Sequence, residues 1–432
     1  MFFLFNTGQL AHEKSKLVNS ADAAAYSAGV MNARALNFDA YTNRAMVANT
    51  VAIAQLVSLS SWIQYVDRLA TYGVNLNNPK FVSYYPSYLS AQYSGTYAKT
   101  YLLDTGTLEK LAIGSDRIIR SLLMNAQAVA RAALIPARAQ LMDEVVRENY
   151  RDDGVVSVQE IPLPGDGYTR FVKRYDGEKR ERFAEVTTSA VRRDRFVGQR
   201  SWMLPALWAD CGGAYPNVDW LDRSGGTDLV GFDEWRAMDT LSEKRWTPRH
   251  QYDVFCQAIA ERPTGWGSQP AAETPSIDPD LTHYDYARII NPGSGMLALA
   301  MSSDAWQYSG LPGFHDLSED ALKDAEPRLR LAVRLGRRTS ETITSEGRSA
   351  ISPTPRLNAY AATPAGGQEL VAVSASEAFF QRPPSSADNA FGLSIGKPRE
   401  IGSLFNPYWQ VRLVQSDAAV AIAQGQQGAL LP

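Results

Sequence analysis

The strongest constraint on this chain is a 3.5-residue repeat running from Leu10 to Val66. Every seventh residue from Leu10 reads Leu17, Ala24, Met31, Phe38, Ala45, Ala52, Leu59 and Val66. The companion series from Lys14 reads Ala21, Ala28, Ala35, Thr42, Asn49, Leu56 and Ile63. A helix with this repeat presents one continuous seam to a partner helix. Over residues 20–36 the seam is mostly alanine, which admits a close neighbouring backbone; beyond Asn49 it turns to leucine and isoleucine. Thr42 and Asn49 are polar seam positions of the kind that set register. Unbroken, residues 10–72 extend about 95 Å at 1.5 Å per residue. Two or three shorter stacked helices with breaks near residues 37–42 satisfy the same pattern. The expectation is the long rod, with Leu17, Ala21, Ala24, Ala28, Met31, Ala35 and Phe38 as its self-association surface.

The rest of the chain reads as a second helix and then strands, an α+β class. Residues 73–80 are turn-rich, and a cluster of tyrosines follows (Tyr84, Tyr85, Tyr88, Tyr93, Tyr97, Tyr101) that suits an interface or the rim of a core. A helix over residues 108–150 places Leu108, Leu111, Ile118, Leu122, Val129, Ala133, Leu141 and Val145 on one face, with Thr107 as N-cap and a kink at Pro136. It is expected to return antiparallel to the first helix. Beyond it, "VVSVQEIPLP" and the stretch from Tyr168 read as strands, with Asp176-Gly177 as a hairpin turn. Residues 201–312, rich in Trp, Gly and Pro, are expected to be compact but irregular. A helix over residues 318–338 precedes a mobile stretch at 339–355, and strands are expected at "QELVAVSASEAFF" and "YWQVRLVQ". The domain division that follows is 1–72, 73–150 and 151–432.

Composition excludes several functions. A net charge of −3 over 432 residues is not that of a nucleic-acid binder. Residues 169–200 hold ten Lys/Arg against five Asp/Glu, which reads as the charged outer face of a hairpin rather than an anion-binding surface, because aromatic residues do not interleave regularly. No run of 18 apolar residues occurs, and residues 1–5 cover only about 7 Å as helix. Cys211 and Cys256 are two unrelated thiols or one disulfide. Asp104-Thr105-Gly106 matches the aspartic-protease triplet but lacks the second copy that such chemistry needs. The histidines show no metal-binding i, i+4 pair. Asp278, Asp280, His283 and Asp285 are a weak candidate for a divalent ion, interrupted by Pro279. No phosphate-binding glycine loop and no nucleophile elbow are present. The expectation is a protein without cofactor or catalytic centre.

The opening resembles the TadE/TadG-like family, pilin-related envelope proteins of bacterial tight-adherence (Flp) pilus systems. The resemblance rests on Phe5, Asn6, Gly8, Lys14, Asn19, Ala21, Asp22, Ala23, Ala24, Ala25, Tyr26 and Ser27, within about the first 55 residues. "YSGLPGFHDL" and "LFNPYWQVRL" resemble stretches of larger members. The resemblance implies a membrane-spanning segment ahead of this point, anchorage in the inner membrane facing the periplasm or release into an extracellular filament, and partnership with copies of itself or other pilin-like subunits. Asp22, within the alanine run, is expected to pair with Lys14 or Lys16 or to face solvent. The alternative is a soluble surface adhesin or binding module in which both helices form the protein's own core.

Overall fold

The computed structural model describes residues 2–72, 105–151, 153–161, 167–205, 218–248, 256–274, 283–302, 304–344, 347–348, 369–382 and 402–426. Helix α1 (Phe2–Tyr72) is a single element of 71 residues, with no break at residues 37–42. Helix α2 (Thr105–Arg117) passes through a π-helical turn (Ile118–Met124) into α3 (Asn125–Asn149). Then come β1 (Val156–Ile161), α4 (Tyr168–Phe171), β2 (Val172–Tyr175), a 3-10 turn (Gly177–Arg180), α5 (Glu181–Val191), β3 (Trp202–Pro205), β4 (Val218–Val230), β5 (Glu234–Pro248) and β6 (Cys256–Ala271). Helices α6 (His283–Ile290) and α7 (Pro292–Met301) lead to β7 (Phe314–Leu317), α8 (Glu319–Lys323), β8 (Arg328–Arg338), β9 (Ile343–Thr344), β10 (Gly347–Arg348), β11 (Glu369–Phe380), β12 (Trp409–Val414) and α9 (Asp417–Gln426). The α+β class holds.

The chain forms two compact units that do not follow the sequential division 1–72, 73–150 and 151–432. One comprises Met1–Arg44, Asn125–Tyr175 and His315–Pro432; the other comprises Ala45–Met124 and Asp176–Phe314. The two units draw on different stretches of α1.

In the first unit the sheet runs β1-β8-β11-β12, antiparallel throughout. Leu331, Val333 and Leu335 alternate along β8 and, with Leu370 and Ala372 of β11, pack on Leu10, Leu17, Ala21, Ala24, Ala25 and Ala28 of α1. Fully burying each of the larger side chains stabilises the fold by about 1.5–3 kcal/mol. Helix α3 runs antiparallel to α1, as expected: Gln127 meets Asn43, Arg138 meets Asn32, and Tyr150 lies beneath Lys16. Its inward face is Leu134, Met142 and Val146, whereas Val129 is exposed. The expected face is therefore displaced by one position over most of its length, because polar Gln127 and Arg138 also turn inward and share the buried stripe.

In the second unit β3-β4-β5-β6 form an antiparallel sheet whose longer strands span 13, 15 and 16 residues. Residues 201–312 thus contain long regular strands where irregular structure was expected, since runs such as "RAMDTLS" alternate between two buried faces. Leu241 packs on Tyr65, Val66 and Leu69 of α1, while Met238 faces Ala287 of α6 and Ala298 of α7.

Two further expectations fail for one reason, the period of the side chains. Asp176-Gly177 does not turn a hairpin. Gly177, at φ 59°, opens the 3-10 turn, and Phe183, Thr187 and Val191 sit four apart on helix α5, while β2 pairs with β7. The helix expected over 318–338 ends at Lys323, and "RLRLAVRLGRR" alternates as β8. Residues 339–344 form a 3-10 turn and β9. Strands β11 and β12 lie where expected. The tyrosines at 84–101, His250 and most of the stretch to 355 lie outside the described residues.

Helices α1 and α2–α3 are both long and apolar enough to cross a membrane by length and composition, and over half of the relevant stretch of α1 is buried in the fold. That is the pattern of a core helix as much as of an anchor.

Candidate functional site

The side chains proposed as a self-association surface are occupied within the chain itself. Leu17, Ala21, Ala24 and Ala28 are 0% exposed, covered by the β8–β11 face and the end of α3. Met31 and Ala35 are partly buried against a second core with Trp409 and Leu404, and Phe38 is 37% exposed. The expected polymer seam is corrected: only Phe38 offers substantial free surface, because a stripe that admits a close helix admits a close sheet equally well. Gly29 shows how close. A Cβ there would lie 2.5 Å from Val411 Cγ2 and 2.7 Å from Ser376 Oγ.

The residues carrying the family resemblance dock β11. Lys14 Nζ donates to the Val371 carbonyl, Ser374 Oγ donates to Asp22 Oδ1 at 2.6 Å, and Ser376 Oγ donates to the Ala25 carbonyl at 2.6 Å. Asp22 thus meets a serine rather than Lys14 or Lys16. Burial lowers the Lys14 amine to about 8.

About four turns beyond Ala25 along α1 lies a buried polar clasp. Asp39, Thr42 and Asn43 stand at i, i+3 and i+4, on one helix face. Asn43 Nδ2 donates to the carbonyls of His315 and Leu404, both at 2.7 Å. Gln127 Nε2 donates to Thr42 Oγ1 at 2.6 Å and Asn43 Oδ1 at 2.9 Å. Its Oε1 accepts from His315 Nδ1 at 3.0 Å, which places the proton of the neutral ring on Nδ1. Tyr168 Oη donates to Asp39 Oδ2 at 2.8 Å, and Asp316 Oδ1 accepts from the backbone N–H of Leu317 and Leu404. Nearby, Asn37 exchanges both of its amide bonds with the backbone of Trp409.

Burial raises the Asp39 carboxyl to about 6, against the opposing Tyr168 hydrogen bond and Arg131 charge. Burial also lowers His315 to about 3, helped by the charges of Arg131 and Arg174. At neutral pH the clasp holds an ionised aspartate beside a neutral imidazole. Asp39, Asn43, Gln127 and Asp316 are each at most 1% exposed, so no substrate reaches them. The arrangement fixes chain segments about 270 and 360 residues away on α1.

An open groove of about 340 Å³ lies elsewhere on the same unit, lined by His12, Ser15, Lys16, Asn19, Ser20, Ala23 and Asn149. Lys16 Nζ donates to Asp153 at 2.6 Å and lies 4.3 Å above the Tyr150 ring. Beneath it, buried Arg337 bridges Glu13 and Asp153 at 3.0 and 3.2 Å. Burial pushes the Tyr150 hydroxyl up to about 12. Burial works against ionised Asp153 as well, but hydrogen bonds from Lys16 and Arg337 hold its carboxyl below the usual range.

The remaining candidates are not assembled into a site. Among the described residues no group of three or more His, Cys, Asp or Glu is arranged to hold a metal ion. Cys211, Asp104, Asp278 and Asp280 lie outside the described residues; Cys256 opens β6, and His283 and Asp285 belong to α6, their side chains undescribed. The Asp104-Thr105-Gly106 triplet leads into a helix starting at Thr105. The members of the clasp are scattered in sequence, and its one local signal is the polar spacing of Asp39, Thr42 and Asn43. No protein-family model, curated protein or solved structure matches the chain.

Proposed function

We propose that this chain is a non-enzymatic envelope protein of the tight-adherence pilus group, an assembly or display component whose first helix is a scaffold for its own sheets. The observation that carries the reading is the meeting, on one helix, of the three stretches that resemble the TadE/TadG-like family. Asn43 of the opening stretch holds the backbone of His315 from the second and Leu404 from the third, and Asn37 holds Trp409 of the third. Exposed Leu4 and Phe5, at 75% and 47%, support an apolar contact at the start of α1.

A second reading, a surface adhesin or binding module with both helices as its own core, is favoured by the burial of Leu17, Ala21, Ala24 and Ala28. Fractionation of the source cells with an antibody against this chain, combined with a deletion strain, tests both. Recovery with the envelope and loss of surface pili on deletion is the expected result. Envelope recovery with pili intact selects the adhesin, and recovery in the cytosol refutes both readings.

A further inference from the structure

The face of the first unit's sheet turned away from α1, which α9 covers at Ala332 and Ala375, carries a charge cluster in the next row. The register aligns Arg330 of β8, Glu377 of β11 and Arg412 of β12 in one row, with Arg328 opposite Phe379 one step away. The Glu377 side chain is 1% exposed. Its carboxylate accepts from Arg328 Nη1 at 3.1 Å, Arg330 Nε at 3.3 Å, and Arg412 Nε and Nη2 at 2.8 and 2.5 Å. Arg328 also reaches Glu326 at 2.5 Å. Three guanidiniums against two carboxylates leave one positive charge, and it resides on the outer pair: Arg330 and Arg412 are 54% and 48% exposed.

Those two arginines are ordered from below. Each spends its Nε edge on Glu377, and the Arg412 guanidinium also lies 4.7 Å over the Phe379 ring. Among the described residues, neither terminal nitrogen of Arg330 nor Nη1 of Arg412 has a hydrogen-bond partner. Two forks held by one buried carboxylate, on side chains that are about half exposed, suit a ligand with several acceptor oxygens and a negative charge. Guanidinium geometry matches phosphate in this way, and ordering in advance reduces the entropy lost on binding.

We propose that Arg330 and Arg412, positioned by Glu377 and Phe379, form a binding site for a phosphate-class oxoanion. The anion's source is either free phosphate or the headgroup of an anionic lipid. The site stands independently of the function proposed above.

The test uses the full chain in two arms: calorimetric titration with inorganic phosphate, and co-flotation with vesicles of phosphatidylglycerol in phosphatidylcholine against phosphatidylcholine alone. Arg330→Gln with Arg412→Gln is compared with Arg147→Gln and Arg151→Gln, the same loss of charge at two exposed arginines in and just past the last turn of α3. The first pair is expected to weaken binding roughly a hundredfold, about tenfold per arginine, and the control pair less than about twofold. Unchanged far-UV circular dichroism and urea midpoint in the first pair show that the fold is kept. Binding in the phosphate arm identifies a small anion, and binding to the anionic vesicles alone identifies a lipid headgroup; either supports the site. Binding in neither arm, equal losses in the two pairs, or loss of the fold in the first pair overturns it.

Discussion

Two stretches of the same helix solve one packing problem with opposite chemistry. In the first unit α1 brings alanines and Gly29 to the interface, and the sheet supplies the bulk through Leu331, Val333, Leu335 and Leu370. In the second unit the helix brings serines, and the sheet gives up the volume. Gly265 and Gly267 on β6 have no space for a Cβ, because Tyr65 and the Ser61 carbonyl stand there. Ser58 meets Thr227 at 2.6 Å, Ser60 donates to Gln269 at 2.9 Å, and Ser61 donates to Asp239 at 2.7 Å. Close helix-on-sheet contact needs one small partner, and either side can provide it. The consequence differs: the first interface depends on shape, the second on complete pairing of buried polar groups.

The largest effect is expected at Asp239, fully buried between Arg200 at 2.9 Å and Arg223 at 2.5 Å, with Arg223 stacked 3.9 Å over Tyr65. Asp239→Ala leaves two buried guanidiniums unneutralised and should cost about 3–5 kcal/mol, read from the urea midpoint. A cost below about 1 kcal/mol would mean the second interface does not rest on pairing.

Next comes Ala28→Arg, which forces a charged side chain into the apolar interface of the first unit. Loss of cooperative unfolding and of near-UV circular dichroism is expected, as for an unpaired buried charge. A folded Ala28→Arg protein with altered sedimentation would restore the self-association seam.

Two glycine substitutions sharpen the shape argument. At Gly8 a Cβ would meet nothing within 4 Å, so Gly8→Ala should stabilise α1 by up to about 1 kcal/mol through helix propensity. Gly29→Ala gains the same propensity but strikes Val411 and Ser376, and overpacking of about 1–3 kcal/mol should outweigh it. Calorimetric midpoints moving in the same direction would refute the close-contact reading.

The smallest effect is in pH dependence. The Asp39 carboxyl is raised by the fold, so its contribution to stability is present at low pH and is lost as pH rises through about 6. His315 is depressed, so its contribution is present above the ordinary histidine range, about 6.5, and is lost as pH falls toward about 3. Between roughly pH 6 and 4 the two oppose each other. Asp39→Asn removes one side, and its stability should then fall more steeply with acid than that of the wild type, by up to about 1.4 kcal/mol per pH unit. Parallel urea midpoints for the two proteins at pH 4, 5 and 6 would show the clasp is not coupled in this way.

What local pattern could show, it showed. The 3.5-residue repeat specified α1 as a helix, the alternation in "ELVAVSASEAFF" specified β11, and Ser318 was legible as a helix start, its hydroxyl accepting from the Ala321 N–H. These features depend on neighbours a few residues away, where side-chain period is decisive. The candidate site was far less legible. Asn43, His315 and Leu404 are joined across gaps of 272 and 361 residues, and no local spacing encodes such a meeting. The same holds for the occupant of the alanine stripe. A run of small side chains states that something comes close to the helix; only the folded chain decided that the neighbour is its own sheet, because burying that surface within one molecule avoids the entropy lost when two molecules associate.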